Sequence, residues 1–172
     1  MAVAGDVILR PWREADLDSL VRYADNRNVW RTLRDIFPHP YTRADGEGWL
    51  AHCAAQPDPQ LQFAIEFEGA AVGGIGFERR NEVYRFTAEI GYWLGEPFWG
   101  RGIMTEAVRR ATAYGFQALG VERIEAHVFS SNPRSGRVLE KNGYTLEGRL
   151  RRSVFKDRQF LDALLYSRLQ TG

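Results

Sequence analysis

Gly95, Gly100 and Gly102 lie between a β-rich run, Glu89-Ile90-Gly91-Tyr92-Trp93-Leu94, and a helix that opens at Ile103-Met104-Thr105-Glu106-Ala107. A strand, a glycine loop and a helix N-terminus together suit an anion. Glycines let backbone come close to a ligand. The first N–H groups of the helix have no partner inside it, and its dipole adds about half a positive charge at that end. Two familiar phosphate loops do not fit. Gly95 and Gly100 have the glycine spacing of a P-loop, but Arg101 stands for its lysine and Gly102 for its magnesium-binding hydroxyl. Gly100 and Gly102 are followed by Thr105, not by the third glycine of a dinucleotide fingerprint, and the loop lies mid-chain.

A third design does fit. Pro97-Phe98-Trp99-Gly100-Arg101-Gly102 resembles the Q/R-x-x-G-x-G/A pyrophosphate loop of the GCN5-related N-acetyltransferases, with Pro97 in place of the leading Gln or Arg. The run EIGYWLGEPFWGRGIMTEA is similar to the RimJ/RimL branch, the ribosomal-protein N-terminal acetyltransferases. Asn132-Pro133-Arg134-Ser135 through Val138 to Gly143-Tyr144 resembles a second family element, N-x-x-S-x-x-(V/L)-x-x-x-x-G-(F/Y). The two motifs occur in the family's order and separation, and the likeness covers nearly the whole chain.

The resemblance implies acetyl-CoA as cosubstrate and a primary amine as acceptor. It implies that amides of Trp99, Gly100, Arg101, Gly102, Ile103, Met104 and Thr105 hold the pyrophosphate. Backbone of Tyr92, Trp93 and Leu94 would pair with the pantetheine arm and polarise the thioester carbonyl. Asn132 would bond the cofactor arm. Ser135, one helical turn on, would donate to the departing sulfur. Many relatives place an acidic tyrosine where this chain has Leu139, and some a carboxylate where it has Val154. The remaining candidate base is Glu89. The acceptor implied is a protein or peptide N-terminal α-amine; a polyamine, an antibiotic amine, or a non-catalytic acetyl-CoA-binding module are the alternatives.

Period and punctuation supply the elements that must position these residues. Val7–Arg10 reads as a strand, and residues 16–23 as a helix with Leu17, Leu20 and Val21 on one face. Residues 26–40 read as irregular and aromatic, with Asp35 inside. Thr42 caps a helix with Asp45 as its capping box, ending before Pro57. Alternation gives strands over residues 61–67, 71–77 and 86–94. A long helix spans residues 103–119, its small face formed by Ala107, Ala111, Gly115 and Ala118, and it stops at Gly120. A strand over residues 123–129, a helix over 133–141 and strands over 144–155 and 160–169 follow. The expected fold is α/β: a mixed, mostly antiparallel sheet of about seven strands with helices on both faces. The resemblance adds a splay between the central strands, where acetyl-CoA lies in the family.

Composition sets the bounds. The 172 residues suit one domain, and 23 basic against 22 acidic residues give no support for nucleic-acid or membrane binding. The lone Cys53 forms no internal disulfide and reads as a small hydrophobe. No apolar run approaches a membrane span, so a cytoplasmic protein is expected; a homodimer is compatible with all of this. His39, His52 and His127 lack metal-ligand spacing, so no metal is expected, and His127 reads as a packed strand residue. Arg149-Leu150-Arg151-Arg152 reads as a solvated strand face.

Overall fold

The computed structural model describes residues 6–56 and 58–170; Pro57, expected to stop the third helix, lies outside them. The strands are β1 (Val7–Arg10), β2 (Gln62–Phe67), β3 (Ala70–Arg79), β4 (Thr87–Leu94), β5 (Arg123–Phe129), β6 (Thr145–Lys156) and β7 (Gln159–Leu169). The helices are α1 (Leu17–Ala24), α2 (Arg27–Trp30), α3 (Arg43–Ala54), α4 (Ile103–Ala118) and α5 (Pro133–Lys141). The strands form one sheet in the order β1-β2-β3-β4-β5-β7-β6. The β1–β2, β2–β3, β5–β7 and β6–β7 pairs are antiparallel, and β4 and β5 are parallel. The parallel pairing of β4 and β5 follows from the intervening helix, since parallel neighbours need a long crossover. No helix of the described residues is long and apolar enough to cross a membrane.

Two compact units divide the chain. One comprises residues 1–76 and 92–107. Its core gathers Trp12, Leu20, Ala24, Tyr41, Leu50, Cys53, Ala64 and Ala71. The capping box is present: Asp45 N–H donates to Thr42 Oγ1, and Thr42 N–H to Asp45 Oδ2. The stretch over residues 26–40 is not wholly irregular. Asn26 caps the single turn α2 by accepting from the amides of Asn28 and Val29. A polar side chain at the N-cap satisfies amides that the turn leaves over. Arg10 is held by Asp16 through two hydrogen bonds of 2.7 and 2.8 Å, and also by Glu66.

The other unit comprises residues 77–91 and 108–172. Helix α4 lies so close to the strands that a Cβ on Gly115 would come within 2.8 Å of Ile124 Cδ1 and 3.2 Å of the Phe77 ring. Ala107, Ala111 and Gly115 are buried as expected, but Ala118 is exposed and Leu119 is buried instead. At about 100° per residue, Leu119 falls between Val108 and Thr112 on the buried stripe, and Ala118 is exposed as the last residue of α4. The parallel ladder runs only from Thr87↔Arg123 to Glu89↔Glu125, while β4 continues to Leu94 and β5 to Phe129. In the closing hairpin, the β6–β7 register shifts between Leu146 and Gly148 and between Leu150 and Val154. Arg152, inside the second shift, has φ +53.

Candidate active site

The first unit contains the glycine loop. Gly95 N–H donates to Val72 carbonyl O at 2.8 Å, fixing the loop to β3. A single 3-10 turn over Glu96–Phe98 follows, with Pro97 in its first turn, where a missing N–H costs nothing. Gly100 and Gly102 then have φ +76 and +81. A Cβ at Gly100 would meet nothing within 4 Å, so the glycine is required by backbone conformation and not by space. Helix α4 has its first ladder bond from Glu106 N–H to Gly102 carbonyl O at 3.1 Å. Gly102 is thus the N-cap, and Ile103 and Met104 open the first turn, at the positive end of the dipole.

Side chains brace this loop. Glu96 accepts from Asn26 Nδ2 at 2.8 Å and from Asn28 Nδ2 at 3.0 Å. Phe98 packs edge-on against Tyr23, with ring centroids 5.1 Å apart. Trp99 donates its indole N–H to Leu94 carbonyl O at 2.7 Å, and its backbone N–H goes to Glu96 carbonyl O at 3.1 Å. One expected contribution changes accordingly. The Trp99 amide closes the 3-10 turn, so it does not belong with the loop's anion-facing donors. The Arg101 guanidinium stacks over Phe67 and Phe98 and pairs with Glu68 at 3.1 Å, so its side chain is structural.

The second unit contains the side-chain chemistry. Glu89 and Glu125 are register partners on the last rung of the β4–β5 ladder. Arg80, just after β3, reaches Glu89 Oε2 at 2.8 Å and Glu125 Oε1 at 3.1 Å. His127, two residues beyond Glu125 and so on the same face, places Nδ1 at 3.2 Å from Glu89 Oε1. The hydrogen bond to Glu89, ahead of the opposing effect of burial, raises the His127 imidazole pKa above 6.5. The series continues along the sheet: Arg123 bonds Glu125 at 3.2 Å and Glu147 at 2.7 and 2.6 Å, and Ser167 donates to Glu147.

His127 is the member of this cluster that the sequence reading placed elsewhere. It is not packed in a core; its residue is exposed and its side chain 30% exposed. A signal was available. A strand–helix–strand unit makes its strands parallel neighbours, and period-2 alternation then puts Glu89, Glu125 and His127 on one face.

Asn132 is at the N-cap of α5 but its side chain makes no capping hydrogen bond. Ser135, one turn on, donates its amide to Asn132 carbonyl O at 3.2 Å. Leu139 is fully buried, so no phenol reaches a ligand from that position. Nor do two nearby tyrosines replace it. Burial pushes the Tyr144 hydroxyl up to about 12 and it is hydrogen-bonded to Thr112 Oγ1; Tyr166 donates to Glu140. Burial likewise pushes the Cys53 thiol up to about 12. Among the described residues no group of His, Cys, Asp and Glu is arranged to hold a metal ion.

This chain belongs to the family of the acetyltransferase (GNAT) domain, whose model matches residues 6–145. It is 35% identical over 107 residues to the ribosomal-protein-serine acetyltransferase of Escherichia coli, covering 62% of this chain and 59% of that protein. It is 26% identical to the spermidine N(1)-acetyltransferase of the same organism, over 95% of this chain and 86% of that one. Among solved structures it is similar to Mycobacterium smegmatis RimJ in complex with CoA-disulfide: TM-score 0.82, 30% identity, 97% of this chain and 83% of that chain. The matched stretch spans only 54–60% of the length of several curated relatives.

Proposed function

We propose that the chain is an acetyl-CoA-dependent N-acetyltransferase whose acceptor is the α-amine of a protein or peptide N-terminus. The observation that carries the cosubstrate is the braced loop, with Gly100 and Gly102 at positive φ leading straight into the first turn of α4. Backbone that is fixed before a ligand arrives binds a diphosphate without the cost of ordering it. Asn132, at a cap position without a capping bond, keeps its amide for a ligand. Ser135 is the donor proposed for the departing sulfur. A thiol of pKa about 8.5 leaves unprotonated near pH 7 at a cost of roughly 2 kcal/mol, so this help is modest.

The choice of acceptor rests on proton chemistry. An α-amine of pKa about 7.7–8.0 is roughly one-tenth neutral at pH 7, whereas a lysine amine near 10.4 is neutral in about one molecule in 2,500. The gap of about 2.5 units, or about 3.5 kcal/mol, is one that a site with only a mild base would have to supply. The name of the serine acetyltransferase relative points the same way. The spermidine acetyltransferase relative, similar over 95% of this chain, favours a polyamine as the second reading.

The test offers acetyl-CoA with three acceptors: a peptide with only a free N-terminus, the matched peptide with only a free lysine, and spermidine. Thiol release gives the rate and mass spectrometry gives the acetylated nitrogen. Acetylation mainly of the N-terminus is expected. Preference for lysine or spermidine would overturn the acceptor, and no turnover with any amine would overturn the enzyme reading.

A further inference from the structure

We propose that His127 takes the proton from the acceptor ammonium and that Glu89 is the positioning residue that aims it. This rests on the acetyl-transfer reading above and changes its chemistry, because sequence alone made Glu89 the base.

The geometry argues for it in three ways. Both carboxylate oxygens of Glu89 already accept, Oε2 from Arg80 and Oε1 from His127. An ionised carboxylate can only accept, so His127 Nδ1 must be the protonated nitrogen in that contact. The neutral ring then carries its lone pair on Nε2, as it does wherever a carboxylate orients an imidazole. Finally, His127 lies two residues past the Glu89↔Glu125 rung of the β4–β5 ladder, at an exposed position of its strand. An amine can reach it there.

The charged groups around the ring are Glu89 from β4, Arg80 from the segment after β3, and Glu125 from its own strand; across the β5–β7 register it faces Leu165. Two carboxylates favour the imidazolium and one guanidinium opposes it. The net effect raises the pKa above its ordinary 6.5.

The step balances as follows. The ammonium gives one proton to Nε2, leaving a neutral amine and an imidazolium. The amine lone pair forms the N–C bond to the acetyl carbon. The C–S bond breaks, and its electron pair leaves with the coenzyme sulfur. The surplus proton on nitrogen ends on that sulfur, and the imidazolium returns its proton to water. Ammonium and thioester become amide, thiol and one released proton.

Only neutral His127 accepts a proton, so kcat/KM rises with pH through the His127 pKa. Removing the Glu89 carboxylate must move that limb to lower pH, and removing the Arg80 charge must move it higher. The experiment uses the full chain, acetyl-CoA and the free-N-terminus peptide. His127→Ala is expected to lose about 100-fold in kcat, with KM for acetyl-CoA little changed. Added imidazoles should restore the rate, more strongly as their own pKa rises. Separately, NMR titration of the His127 ring without substrate should give midpoints in the order Glu89→Gln, wild type, Arg80→Met. A kcat for His127→Ala within about threefold of wild type would overturn the proposal, since general-base catalysis is worth far more. So would a loss that no imidazole restores, or midpoints that ignore Glu89 and Arg80. Wild-type turnover with an undamaged His127→Ala overturns this inference alone; a wild type inactive towards every amine overturns the reading beneath it as well.

Discussion

In the loop from Gly95 to Gly102 the groups proposed to bind are backbone amides, braced by side chains such as Glu96, Trp99 and Arg101. In the cluster on β4 and β5 the reverse holds: the groups proposed to act are the side chains of Glu89 and His127, and backbone register brings them together. The loop tolerates change in its side chains but not in its φ angles. The cluster tolerates little change in its side chains, while its backbone is ordinary strand. Substitutions should therefore hurt the two regions in different ways.

The sharpest way to test the loop side is Gly102→Val. A side chain at φ +81 is strained, and it also fills space beside the amides that a pyrophosphate would need. Calorimetry should show coenzyme A binding weakened by about 100-fold, in line with about 1–3 kcal/mol each for strain and for crowding. Undiminished affinity would remove the glycines from the argument. Next is Ser135→Ala, which deletes one hydrogen bond to a leaving group. Its kcat should fall about tenfold, the equivalent of about 1.4 kcal/mol, with unchanged KM. A loss as large as that of His127→Ala would mean that leaving-group protonation and not amine deprotonation limits the rate.

Arg101→Ala asks whether bracing matters. It removes a partly exposed ion pair with Glu68 and the stack over Phe67, worth about 1 kcal/mol together. Thermal unfolding should register that small loss, and the coenzyme should bind only slightly less well. If binding collapses, Arg101 is a ligand contact and not a brace.

The smallest effect is expected at Glu147. Arg123, and then Ser167, hold its carboxyl down at about 2, from an ordinary 4.5. A depressed folded-state pKa means stability that is present above pH 4.5 and is lost as pH falls towards 2. Glu147→Gln should flatten the acid limb of stability in that window, with a small loss of stability at neutral pH and little change near pH 2. An acid limb that is identical in the variant would show the pair to be energetically silent.

The same contrast explains what could be read in advance. Gly100, Gly102, Thr42 and Asp45 act within a few residues of themselves, through local backbone rules, and the structure has them as expected. The bounds of β5 and α5 were legible for the same reason: period and punctuation are local. Arg80, Glu89, Glu125 and His127 act across separations of 9, 38 and 45 residues. Their meeting depends on which rungs the parallel ladder pairs, and no local pattern fixes that. Ala118 and Leu119 show the intermediate case, where the helix was legible but the phase of its buried stripe slipped by one residue near its end. Side-chain reach also escapes sequence: nothing about Arg101 as a residue type says that it folds back over Phe67.

The closing hairpin has a consequence of another kind. Strand β6 is twelve residues long, lies at the sheet's margin, and is exposed over most of its length, with Leu146 and Leu150 in view. A flat margin of that kind would template the addition of foreign strands and seed fibrous aggregation. The two register shifts and the left-handed Arg152 interrupt its outer row of hydrogen-bonding groups, and Arg149, Arg151 and Arg152 add repulsion. Irregularities that look like flaws in the hairpin are of the kind that disfavour the addition of a foreign strand at a sheet margin.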